Sequence, residues 1–197
     1  VVNVQDNSVQ GTFETGSNPI DLDWSIISGG GIRAAMICNQ GGLNDPLGSI
    51  SLYLNSPPLG GGFLGAGQTR DGIESTYTDG IRNPTGVWGN QQWLNPFSGN
   101  SVPIVWYVAN TGGDTVVDLR LNITGLFGLS VTPTAQQTKE VGRNPTFATL
   151  DPFYPNAFLF AAVAGTGSLA AMDPNRPVPP VNIFVGQIRR YSTCFTH

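Results

Sequence analysis

The chain has 197 residues, which suits one domain and is ample for a hydrophobic core. Its 26 Gly and 15 Pro make 41 of 197 residues, below the ~25–30% that signals disorder, and 40% hydrophobic content argues for a packed fold. Charged residues are only 11% against a usual ~25%, with a single Lys, and the net charge is −4, which excludes a polyphosphate-binding surface.

From the N-terminus, "VVNVQ", "VQGTFET", "IDLDWSII", "GIRAAMIC" and "GSISLYL" are apolar or alternating runs between Asn, Gly, Pro and Asp clusters, and read as strands. Residues 55–91 follow, Gly-rich with Pro57-Pro58 and little periodicity. They read as one long loop, of the kind that is functional or an interface element. "QQWLNPF" reads as a short strand. Residues 102–125, "VPIVWYVANTGGDTVVDLRLNITG", read as a hairpin turning at Asn110 to Asp114.

The two arms of that hairpin differ. In the first, Val105, Tyr107 and Ala109 alternate with Ile104, Trp106 and Val108, so both faces call for burial. In the second, Val117, Leu119, Leu121 and Ile123 share one face, while Asp118, Arg120 and Asn122 share the other, which is expected to meet solvent or a neighbour. "FGLSVTP" extends or follows this arm. Residues 156–172 are Ala-rich behind Pro155 and predict a short helix weakened by Gly165 and Gly167. "DPNRPVPP", 173–180, reads as a stiff linker before a last strand, "VNIFVGQIRR". No internal repeat is legible. The expected fold is all-β: an antiparallel sandwich, jelly-roll-like, forming one domain with at most one or two short helices.

Catalytic motifs fare poorly. "GGGFLG" at 60–65 formally fits G-x-G-x-x-G, but prolines precede it and no apolar helix follows. His197 is the only histidine and sits at the chain end, so triad and zinc chemistry lack their central group. Asp21 and Asp23, two apart on one strand face, read as solvated edge carboxylates, with calcium at a subunit contact as the sharper alternative and acid–base catalysis the remote one. Asp114 reads as a turn residue, and the Asn122 glycosylation sequon as unused. Trp88, Trp93 and Phe97 flank the Gly-rich stretch and read as core or interface anchors, with carbohydrate stacking as the alternative for the two tryptophans.

Arg189-Arg190 reads as a solvated pair. Cys38 and Cys194 leave one disulfide and two buried thiols both open. No run approaches the ~18 apolar residues of a membrane span. The start at Val1, without Met, reads as a processed or excised chain with no visible signal peptide.

Short Val-, Ile-, Thr- and Asn-rich strands, Arg in place of Lys, sparse charge, "TVVDLRLNITG" and the Ala-rich "ATLDPFYPNAFLFAAVAGTGSLAAM" together resemble the coat proteins of small non-enveloped icosahedral RNA viruses. The resemblance implies a jelly roll whose subunits tile a shell, located in the virion. It departs in "VVNVQDNSVQ", which has no positive charge where such proteins carry a basic arm, so contact between this chain and nucleic acid is expected to be weak. The expected function is a non-catalytic, self-assembling capsid subunit. Copies of itself are the expected partners, with a host receptor or glycan in second place. The alternative is a secreted, lectin-like β-sandwich that binds carbohydrate.

Overall fold

The computed structural model describes residues 5–9, 12–27, 32–43, 45–56, 70–89, 104–124, 130–151, 158–174, 176 and 178–185. They form three four-stranded antiparallel sheets. The first holds β1 (Pro19–Ile27), β2 (Ile32–Asn39), β3 (Ser49–Ser56) and β4 (Arg70–Tyr77); the second holds β5 (Pro84–Gly89), β6 (Ile104–Asn110), β7 (Thr115–Thr124) and β8 (Ser130–Glu140). The third holds β9 (Pro145–Leu150), β10 (Leu159–Val163), β11 (Ser168–Met172) and β12 (Val181–Phe184). Within each sheet the strands sit in chain order, so each is a meander. A jelly roll requires Greek-key crossovers that place non-consecutive strands side by side. None occurs among the described strands, so the sandwich expectation stands at the level of stacked antiparallel sheets.

The three sheets repeat one design. Each first strand opens with Asn-Pro, and each Asn is left-handed: Asn18, Asn83 and Asn144 have φ of 55°, 46° and 54°. Asn tolerates this region better than other side chains do. The residue after each proline is bulged: pairing jumps from Pro19↔Asn39 to Asp21↔Cys38, from Pro84↔Asn110 to Gly86↔Ala109, and from Pro145↔Val163 to Phe147↔Ala162. The central hairpins then return at Ser49, Thr115 and Ser168, opposite Asn39, Asn110 and Val163. Gly48, Asp114 and Gly167, just before those residues, all have positive φ. In each hairpin one amide, of Gly41, Gly112 or Gly165, donates to the carbonyl preceding the Asn-Pro pair, that of Ser17, Arg82 or Arg143, at 3.0, 2.8 and 2.9 Å.

The units are also joined in series. The Asn83 amide donates to the Leu47 carbonyl at 2.6 Å, and the Asn144 amide to Asp114 Oδ1 at 3.0 Å. Each hairpin therefore holds the entry turn of the next unit. The absence of a repeat in the sequence reading is corrected here: the units share only punctuation, such as Asn-Pro and the "N-x-G-G" at Asn39 and Asn110, while their hairpins differ in length.

The second sheet is the middle layer. Trp106, Val108, Val117 and Leu119 pack against Ala34, Met36, Cys38, Ile50, Leu52 and Leu54 of the first sheet. On its other face Tyr107 and Val116 pack against Ala148, Leu159, Ala161, Ala170 and Met172 of the third. The two-sided apolarity of β6 thus reflects burial between two sheets.

Four further expectations are corrected. Residues 55–91 are not one loop, because β4 and β5 lie within them; the stretches outside the described residues there are 57–69 and 90–91. Residues 156–172 contain no helix where described. Leu159, Ala161 and Val163 are buried in alternation with Phe160 and Ala162, the period of a strand, and Gly165 and Gly167 make the turn to β11. The described residues of "VQGTFET", 9 and 12–15, belong to none of the twelve strands. The face of β7 expected to be wet is covered by the third sheet at Val116 and Asp118. The 173–180 linker does lead into β12. Residues 1–4 and "QQWLNPF" lie outside the described residues.

Candidate functional site

The first strands β1 and β5 run along one seam, and Asp21 and Asp23 join them. With β6 on its other side, β5 is an edge strand whose outward amides need acceptors. The Val87 amide donates to Asp21 Oδ2 at 2.9 Å and the Gly89 amide to Asp23 Oδ2 at 2.5 Å. The other oxygens accept from the chain beside them, Asp21 Oδ1 from the Leu22 amide at 3.0 Å and Asp23 Oδ1 from the Trp24 amide at 2.8 Å. Spacing of two residues is what permits this, because alternate edge amides of β5 face alternate side chains of β1.

Burial pushes both carboxyls above the usual range, and the amide donors oppose that rise. The pair is half-buried rather than solvated, which corrects the edge-carboxylate reading. All four oxygens face N–H donors, and a calcium ion would have to displace them. Among the described residues of the single chain, no three His, Cys, Asp or Glu side chains cluster where they could hold a metal ion.

On the other face of the middle sheet, Trp88, Tyr107 and Asp118 lie side by side on β5, β6 and β7. Asp118 is only 3% exposed. Arg120, two residues on, donates from Nη2 to Oδ2 at 3.0 Å and from Nε to Oδ1 at 3.3 Å. Burial raises the Asp118 carboxyl and Arg120 counters it. Burial likewise raises the Tyr107 hydroxyl, reinforced by Asp118. Trp88 stacks on Tyr107 with ring centres 6.3 Å apart and planes 24° apart, half-buried at the rim of the second core. Asp118 is therefore a buried ion-pair member and not a surface residue, while Arg120 keeps a partly open guanidinium. Trp93, Phe97 and the Asn122 side chain lie outside the described residues.

Sequence reading misses two groups. Buried Asn39 donates to Ser49 Oγ and Ser51 Oγ, and buried Asn110 donates to the Gly80 carbonyl and Thr115 Oγ1 while accepting the Arg82 amide. The shared "N-x-G-G" was their only signal. The second group is apolar and exposed on the outer sheets: Leu22 and Trp24 on the first, Phe147, Val181 and Ile183 on the third. Single-strand patterns cannot show these, since exposure depends on which sheet ends the stack.

Among the described residues no helix is long and apolar enough to cross a membrane. Cys38 is a buried free thiol, whereas Cys194 lies outside the described residues. Set against protein-family models, curated proteins and solved structures, the chain matches none.

Proposed function

We propose that this chain is a structural, non-catalytic subunit of a self-assembling capsid, working through contacts with copies of itself. The observation that carries the reading is the pairing of apolar outer sheets with internally engaged polar groups. Trp24 is 41% exposed on one outer sheet and Phe147 47% on the other. Meanwhile Asp21, Asp23 and Asp118 are each bound to groups of the same chain. Apolar faces with few charges between them favour association and offer little to hold a substrate.

A secreted lectin-like module is the alternative. One of its two candidate platforms, Trp88, is half-buried and already stacked on Tyr107. Light scattering after size-exclusion chromatography, followed by negative-stain imaging, tests the proposal. Ordered particles of high mass are expected; a monomer at ~100 μM that binds an immobilised glycan saturably would replace the capsid reading with the lectin one.

A further inference from the structure

We infer that the outer face of the third sheet docks on the outer face of the first sheet in a second copy of this chain, giving a head-to-tail contact. This rests on the assembly reading above and specifies one of its interfaces. Pairing registers make Cys38, Ala109 and Ala162 equivalent, and likewise Ile50, Val116 and Leu169. In the first unit this set faces the middle sheet, and in the second it faces the third sheet. Every unit thus presents the same face forward, and the forward face of units one and two is covered by the back of the unit that follows.

The third unit's forward face carries Phe147, Phe160, Leu169 and Ile183 and has no following unit among the described residues. Phe147 and Ile183 are 47% and 48% exposed. The first unit's back face is equivalent to the surfaces that cover the forward faces of units one and two. Leu22 and Trp24 there occupy the positions of Val87 and Gly89 in the second unit, and they are 52% and 41% exposed. Residues 12–16 cover part of that back face, with Phe13 against Tyr53 at 5.1 Å and Gly16 against Asn39; Ala35, Ser51 and Tyr53 are buried there, while Leu22 and Trp24, the latter edge-on to Tyr53 at 5.6 Å, stay partly exposed.

Terminal units of a stable, solitary repeat array present polar outer faces. Here each end leaves large apolar side chains exposed, Leu22 and Trp24 at one and Phe147 and Ile183 at the other. The occupant that the fold has already matched to each end is therefore the other end of another copy. Such a contact is heterologous: its partner surfaces differ, so it generates rings if the rotation closes and open stacks if it does not.

The test uses two full-length variants, Phe147→Arg to block the forward face and Trp24→Arg to block the back face, with circular dichroism and thermal melts as fold controls. Ile183→Arg and Leu22→Arg serve as second variants at each end. Each blocked chain alone is expected to lose the wild-type assembly in light scattering. A mixture of the two is expected to form a one-to-one heterodimer, because one good face of each sort remains. Wild-type mass in both variants, or loss in Phe147→Arg with Trp24→Arg unaffected, overturns the head-to-tail contact and leaves self-assembly standing. A wild type that is monomeric throughout overturns both.

Discussion

Trp106 is fully buried in the first core, yet its indole Nε1 has no hydrogen-bond partner among the described residues; a Cβ added at Gly89 would lie 2.6 Å from that nitrogen. Truncating it to Ala should cost ~3–5 kcal/mol of unfolding free energy. Trp106→Phe should cost much less, because it deletes the orphan donor along with part of the ring. Urea denaturation of both variants checks the difference. At the seam, Asp21→Ala strips acceptors from the Val87 and Leu22 amides and should destabilise by ~1–2 kcal/mol, with Asp23→Ala similar. Burial raises the Cys38 thiol far above its ordinary value. Unfolded chains therefore lose this proton first as pH rises, and stability falls from about pH 8.5 upward, by up to ~1.4 kcal/mol per pH unit for one group. Cys38→Ala should flatten that slope between pH 8 and 9.5 in urea melts.

Among elements, the hairpin β6–β7 was legible because its turn lies between two clear strands. Its depth in the fold was not, since Asp118 looks like a solvent-facing residue until a third sheet covers it. The strands β10 and β11 were read as helix because Ala favours helices, and only pairing with β9 and β12 decides for strand. The Asn-Pro entry turns are the part of the design most open to test. Asn144→Ala should cost ~1–2 kcal/mol, the usual penalty for a side chain forced into the left-handed region, and Asn144→Gly should be near neutral. Thermal melts of the two variants separate a conformational cost from a lost contact, since both lose the side-chain amide.

At the scale of the whole molecule, each contact within the stack is built mainly from apolar side chains, and the exposed ends continue that chemistry. Assembly held by such faces is expected to survive 1 M NaCl, where charge pairs are screened to about 3 Å, and to weaken on cooling as the hydrophobic contribution declines. Light scattering at low salt, in 1 M NaCl and at 4 °C checks this; dissociation by salt alone would point instead to contacts made by the few charged residues, Arg120 foremost.

Strand-rich character, sparse charge, the central hairpin and the want of a catalytic histidine in the chain interior follow from residue types and their spacing alone, because local periodicity and composition are properties of the sequence. The threefold repeat, the buried Asp118–Arg120 pair and the carboxylate seam of Asp21 and Asp23 came only with the tertiary structure. Each depends on which strand edge or sheet face lies opposite, and a residue's pattern along its own strand carries no record of what will be packed against it.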